Sequence, residues 1–128
     1  MPSYDDARFD PSAPVARVML RCVPTGTRCD GIELLVDSGA DVTLIPKTAA
    51  DRLGLVPIPL ERCELMGFDG SRSFAETVIL DVILEGRAFR GKYLLIDDSI
   101  GVLGRDVLNN LKIVLDGPGK RWYAPNDY

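Results

Sequence analysis

The segment Leu34-Leu35-Val36-Asp37-Ser38-Gly39-Ala40-Asp41-Val42-Thr43 constrains this chain more than any other. A short apolar run of strand type stops on a carboxylate, and a hydroxyl, a glycine and a second carboxylate follow at once. A buried strand over 32–36 delivers Asp37 to the point where the chain leaves the sheet. A carboxylate in such partly apolar surroundings needs hydrogen-bond donors. Ser38 and the amide of Gly39 can supply them, and a glycine lets other backbone approach closely. The same residues also suit an ordinary polar turn after a strand, because Asp, Ser and Gly are common turn formers. The rest of the chain has to choose between these readings.

Along the chain, short apolar, β-branched runs alternate with turn signals. Residues 15–23 read as a first strand, 24–31 as a punctuated loop, and 42–45 as a short strand after the Asp37 loop. Residues 46–54 read as a short helix, with Pro46 at its start and Gly54 just past its end. Residues 63–66 and 72–74 flank a tip rich in turn formers, Gly67-Phe68-Asp69-Gly70-Ser71, and predict a hairpin. Residues 77–84 and 88–96 form two longer strands that pair back across Glu85-Gly86-Arg87. The two glycines of Ile100-Gly101-Val102-Leu103-Gly104 predict a strand packed closely against other backbone. A short helix over 105–111 follows, then strands over 112–115 and 121–124 separated by a tight turn at 116–119. Many short strands and one or two short helices predict a mostly β, small closed barrel in one domain, residues 15–128. Residues 1–14, with Asp5, Asp6, Asp10 and three prolines, read as a flexible arm and not as a signal peptide.

Composition narrows the chemistry. The chain has no histidine, which removes Ser-His-Asp and Cys-His nucleophile systems and the commonest zinc ligand. Its three cysteines, Cys22, Cys29 and Cys63, match no metal spacing. Cys22 and Cys29 suit either a bridge across a hairpin or idle thiols in a reducing compartment, and the second is the expectation. No metal or cofactor is expected. A net charge of −4 without a long basic run argues against nucleic acid as the main partner. No apolar run approaches the ~20 residues of a membrane-spanning helix. The expectation is a soluble cytoplasmic protein whose chemistry comes from carboxylates, hydroxyls, amines or backbone amides.

Two stretches then fit together. Asp37-Ser38-Gly39-Ala40-Asp41, followed well down the chain by Gly101-Val102-Leu103-Gly104-Arg105-Asp106-Val107-Leu108, resembles the retroviral-type aspartic proteases, the retropepsins. The order (motif, glycine-bearing hairpin, Gly-Arg-Asp) is that of the family, and the resemblance covers roughly residues 15–115. It implies a retropepsin-like barrel with a flap hairpin. It implies that Asp37 is the catalytic carboxylate, that the Ser38 hydroxyl bonds across a dimer axis, and that Gly39 offers backbone to substrate. It further implies that Arg105 braces the active-site loop through an ion pair with Asp41, with Ala40 and Thr43 in the same support. Met66, Gly67, Phe68, Asp69 and Gly70 would form the flap over substrate.

An aspartic endopeptidase needs two carboxylates in contact, one charged to take a proton from water and one protonated to polarise the scissile carbonyl. Asp-Ser-Gly occurs once in this chain, so the resemblance implies a homodimer with Asp37 and Ser38 on its two-fold axis. In retroviral relatives the chain termini interleave to build much of that interface. An extended peptide would lie between flap and dyad, with Val42, Leu44, Ile100 and Val102 as apolar walls. The competing reading is a non-catalytic module of the same fold used for dimerisation or peptide binding. An unrelated small barrel that binds a small ligand is a third.

Overall fold

The computed structural model describes residues 3–58, 62–66, 70 and 72–125. Among these residues ten strands and two short helices follow one another: β1 Ser3–Asp5, β2 Ala13–Arg21, β3 Arg28–Val36, β4 Leu44–Pro46, α1 Lys47–Arg52, β5 Arg62–Met66, β6 Arg72–Leu84, β7 Arg87–Ile96, β8 Gly101–Leu103, α2 Arg105–Leu108, β9 Val114–Asp116 and β10 Arg121–Tyr123. The mostly β class read from the sequence is the class observed. The sheet order is β5-β6-β7-β4-β8-β3-β2-β1-β10-β9, and a further β6–β2 pairing joins β6, β7, β4, β8, β3 and β2 into a closed ring. That ring is compatible with the small barrel expected.

Alternation explains how the ring fills. Val78, Leu80, Val82 and Leu84 point inward from β6, and Val18 and Leu20 from β2. They meet Leu34, Ile45, Leu103 and Val107 in one core. β6 and β7 are joined by the two-residue turn Glu85-Gly86, both with positive φ, the backbone twist that matches two right-handed strands. Helix α1 follows directly on Pro46, its N-cap residue, and buries Ala49 and Ala50. Beyond it, Gly54 donates to Asp51 O and Leu55 to Ala50 O, closing the last turn with the paired bonds typical of a helix ended by glycine.

The stretch 1–14, expected as a flexible arm, instead contributes a strand. Ser3, Tyr4 and Asp5 stand opposite Val15, Pro14 and Ala13, and Ser3 also stands opposite Arg121. Tyr4 packs against the core, and Trp122 of β10, 1% exposed, donates its Nε1–H to Val15 O at 3.0 Å. The β1 segment is therefore fastened by partners both near and far in sequence. Cys22 and Cys29 are buried free thiols, so the bridge between them is not formed. Among the described residues no helix is long and apolar enough to cross a membrane.

Candidate active site

Strand β8 is inserted between the two strands that the Asp37 loop connects. It runs parallel to β3, with Leu34, Leu35 and Val36 opposite Gly101, Val102 and Leu103, and antiparallel to β4, with Leu44 opposite Val102. Close insertion requires glycine at both of its ends. A Cβ on Gly101 would run into the Leu44 carbonyl and lie 2.5 Å from Leu34 Cδ2. A Cβ on Gly104 would lie 2.5 Å from Val42 O and 3.0 Å from Ala40 O. The expectation of a glycine-bearing strand packed on backbone is met at these two positions.

This insertion fixes the Asp37 loop from beneath. Asp37 N–H donates to Leu103 O at 3.1 Å as the chain leaves β3. Ala40 N–H returns to Asp37 O at 3.2 Å, and Gly39 N–H donates to Asp37 Oδ1 at 2.9 Å. A Cβ at position 39 would sit 3.1 Å from that same Oδ1 and crowd the carboxylate. Asp37 is half-buried, while Ser38, Gly39 and Asp41 are exposed beside it. The carboxylate is thus held by a backbone donor on one oxygen, and its Oδ2 takes no protein hydrogen bond among the described residues.

A second set of bonds ties the loop to α2. Arg105 N–H donates to Ala40 O at 2.8 Å, and its guanidinium Nη1 donates to Ser38 O at 2.7 Å. The ion pair expected between Arg105 and Asp41 is not formed. The guanidinium reaches the carbonyl of Ser38, and Asp41 faces solvent. Arg105 thus bonds the loop at two backbone carbonyls and at no carboxylate.

Thr43 is fully buried behind the loop. Its hydroxyl donates to Asp106 Oδ1 at 2.6 Å and accepts from Gly104 N–H at 3.0 Å, while its own N–H donates to Asp106 Oδ2 at 3.0 Å. Asp106 was given no role by sequence reasoning, although it stands inside the Gly-Arg-Asp stretch. The signal was its place there, directly after an arginine that was assigned one.

Strands β5 and β6 form the hairpin expected of the flap, with Met66 opposite Arg72. Gly70 is exposed with φ +82. Gly67, Phe68 and Asp69 lie outside the described residues. Val42, Leu44, Ile100 and Val102, the candidate wall positions, are all half-buried. Asp97 and Ile96 line a hollow of about 300 Å³ with Lys47, Phe74, Ala75, Glu76 and Leu95, between the foot of the hairpin and the end of β7. A larger hollow of about 450 Å³ lies elsewhere, against β1 and Trp122, and residues 37–43 do not line it. Among the described residues no group of three or more His, Cys, Asp or Glu side chains is placed to hold a metal ion.

No curated protein matched the chain in a search of sequences. EIAV protease, solved in complex with the inhibitor HBY-793, is similar in fold: 21% identity, a TM-score of 0.56, and coverage of 77% of this chain and 86% of that protein. The model of the family described as aspartyl protease matches residues 26–107, which take in the Asp37 loop, the hairpin and the Gly104–Arg105–Asp106 turn. With well over half of its length matched, the chain belongs to the aspartyl protease family.

Proposed function

We propose that this protein is an aspartic endopeptidase in which Asp37 and the Asp37 of a second copy form the catalytic pair. The observation that carries this reading is the way Asp37 is held. Its backbone is hydrogen-bonded to inserted strand β8 and its Oδ1 to Gly39 N–H, which leaves the other oxygen for a partner. The exposed Ser38-Gly39 edge beside it gives a second loop somewhere to dock. Family membership supports the reaction class, and the single Asp-Ser-Gly supports the demand for a second chain.

Two carboxylates at contact distance share one proton and titrate as a unit. The charged one takes a proton from water, and that water attacks the scissile carbonyl carbon. The protonated one donates to the carbonyl oxygen and stabilises the charge developing there. Collapse of the tetrahedral adduct returns a proton to the leaving nitrogen. The β5–β6 hairpin would lie over an extended peptide and add main-chain bonds, as lids do when they exclude water. Activity belongs on the acid to near-neutral side, because the pair fails once both members ionise. A rate still rising above about pH 9 would contradict it.

The test is cleavage of a diverse peptide pool, read by mass spectrometry, for wild type and Asp37→Asn, with sedimentation on both. Cuts made by wild type and absent from an equally dimeric Asp37→Asn support the reading. A verified wild-type dimer that makes no cuts overturns it in favour of a peptide-binding module of the same fold.

A further inference from the structure

The pairing registers of four neighbouring strands set four charged residues in one row. Arg28 of β3 stands opposite Arg21 of β2, Arg21 opposite Asp81 of β6, and Asp81 opposite Arg90 of β7. Residues directly opposite each other in a sheet share a face. Leu20 and Cys29, the next pair along, are buried in the core, so the row lies on the outer face of the ring. With strands about 4.8 Å apart, the row is about 14 Å long.

Three guanidinium groups against one carboxylate leave this row with two positive charges, on a chain whose net charge is −4. The excess is not spread evenly. Asp81, buried at the centre, accepts from Nε of Arg21 at 3.0 Å and from Nε of Arg90 at 2.9 Å. Arg28 is exposed, and its side chain bonds no protein acceptor among the described residues. Asp30, two positions along β3, pairs with neither Arg28 nor Arg21. Like charges directly opposite each other destabilise a sheet. Position 28 thus carries a charge that the fold itself does not use.

Arg21 is held on its other side. Its Nε and Nη2 both reach Asp81 Oδ2, while Nη1 takes no protein bond among the described residues and the side chain is 30% exposed. A guanidinium already anchored by a buried carboxylate loses less freedom on binding an anion than a freely moving one. Opposite residues of an antiparallel pair have Cα atoms about 4.5–5.5 Å apart, which lets two guanidinium groups close on one tetrahedral anion.

We infer that Arg21 and Arg28 form a binding site for a phosphoryl group, with Asp81 aiming Arg21 and Arg90 adding to the field. A phosphoryl group carries about −1.5 to −2 charges at pH 7 and three acceptor oxygens, which matches the excess of the row, whereas one carboxylate offsets only half of it. Charge-assisted bonds to both guanidinium groups replace the Arg21–Arg28 repulsion by attraction to a shared anion. The group arrives either as free phosphate or as the phosphomonoester of a peptide. This site does not depend on the protease reading. Strand β3 separates Arg28 from Val36 by about 26 Å, so the bound anion does not touch the Asp37 loop.

Titration of the whole protein with inorganic phosphate, followed by NMR of the arginine Nε–H groups and by thermal melting, tests it. Sodium chloride at matched ionic strength is the blank. Arg28→Gln removes an exposed side chain without a protein partner, and Arg52→Gln, an exposed arginine at the end of α1, matches its change in charge. Phosphate is expected to shift the Arg21 and Arg28 resonances and to raise Tm in wild type and Arg52→Gln alike. Arg28→Gln is expected to bind at least tenfold more weakly. Without phosphate it should melt no lower than wild type, because a like-charge pair is gone. A phosphoserine peptide and its unmodified twin, run on the same samples, separate the two sources. Equal affinity for phosphate and phosphopeptide assigns the free anion, and tighter binding of the phosphopeptide assigns a polypeptide ligand. Chloride producing the same shifts overturns the inference. So does a failure of phosphate and phosphopeptide alike to move these arginines at millimolar concentration, or an Arg28→Gln that binds as tightly as Arg52→Gln.

Discussion

Thr43 and Asp106, 63 positions apart, are joined by two hydrogen bonds, from the threonine hydroxyl at 2.6 Å and from its backbone N–H at 3.0 Å. The same hydroxyl accepts from Gly104 N–H, so one buried oxygen links the Asp37 loop, the end of β8 and the first turn of α2. Thr43→Val keeps the shape but removes that oxygen. It leaves a backbone N–H and a carboxylate short of a partner, at a cost of about 2 kcal/mol. Thr43→Ser should recover most of it. Urea unfolding of the three proteins checks this. Equal midpoints for valine and threonine would contradict the role given to the hydroxyl.

Asp81 stands between two arginines on adjacent strands. It lies opposite Arg21 of β2 and Arg90 of β7 in the ladder, and both guanidinium groups bond its carboxylate. The hydrogen bond from Arg90, then that from Arg21, hold this carboxyl below the usual range, against the opposing effect of burial. A carboxyl lowered in the folded state stabilises the fold above its unfolded pKa of about 3.9, and that contribution fades as pH falls through the folded value. Asp81→Asn should therefore cost about 2–3 kcal/mol at pH 7, the lower side of a broken buried pair because both arginines reach water. The gap between mutant and wild type should narrow progressively as pH falls below about 3.9. Denaturant midpoints from pH 7 to 2.5 decide it, and a gap independent of pH would refute it.

The local parts of this fold were legible in the sequence because their determinants are local. Two apolar runs either side of Glu85-Gly86-Arg87 marked β6 and β7, proline and glycine bracketed α1, and the apolar run stopping at Asp37 marked the loop. What failed depended on distant partners. Ser3–Asp5 is a strand only because Ala13–Arg21 and Arg121–Tyr123 lie beside it, and nothing within residues 1–14 announces those neighbours. The choice of Arg105 between the Asp41 carboxylate and the Ser38 carbonyl turns on how the loop folds back, which residue types do not encode. Asp81 sat in an apolar run as a visible anomaly, yet its two arginines come from other strands.

Gly104 is where crowding by backbone should be costly. A methyl there meets the Val42 carbonyl at 2.5 Å and the Ala40 carbonyl at 3.0 Å, and neither can swing aside as a side-chain tip would. Gly104→Ala should lower stability by about 3 kcal/mol, the upper part of the usual range for overpacking. It should lower peptide cleavage further, since the strand end it displaces positions Asp37. Gly117→Ala, with open space around the added methyl, is the matched control and should stay within about 0.5 kcal/mol of wild type. Thermal melts of both variants give the comparison. A Gly104→Ala protein as stable as Gly117→Ala would mean that the β8 end relaxes freely.

The contacts of Arg105 separate two ways of bracing the active-site loop. If the loop depended on an Arg105–Asp41 ion pair, Arg105→Ala and Asp41→Ala would weaken the proposed peptide cleavage alike. In the structure the Arg105 guanidinium instead donates to Ser38 O at 2.7 Å, and Asp41 lies exposed. Arg105→Ala should therefore release the backbone next to Asp37 and, on the proposed protease reading, reduce kcat by about tenfold or more, as expected when a group that positions a reacting carboxylate is lost. Asp41→Ala should leave kcat within about twofold and the melting temperature unchanged. Arg105→Lys should recover part of the rate, since an ammonium can reach a single carbonyl even without the guanidinium fork. Steady-state kinetics on one cleaved peptide, with sedimentation to hold the dimer fraction equal, distinguishes the cases. Equal losses for the two alanine variants would restore the ion pair as the brace.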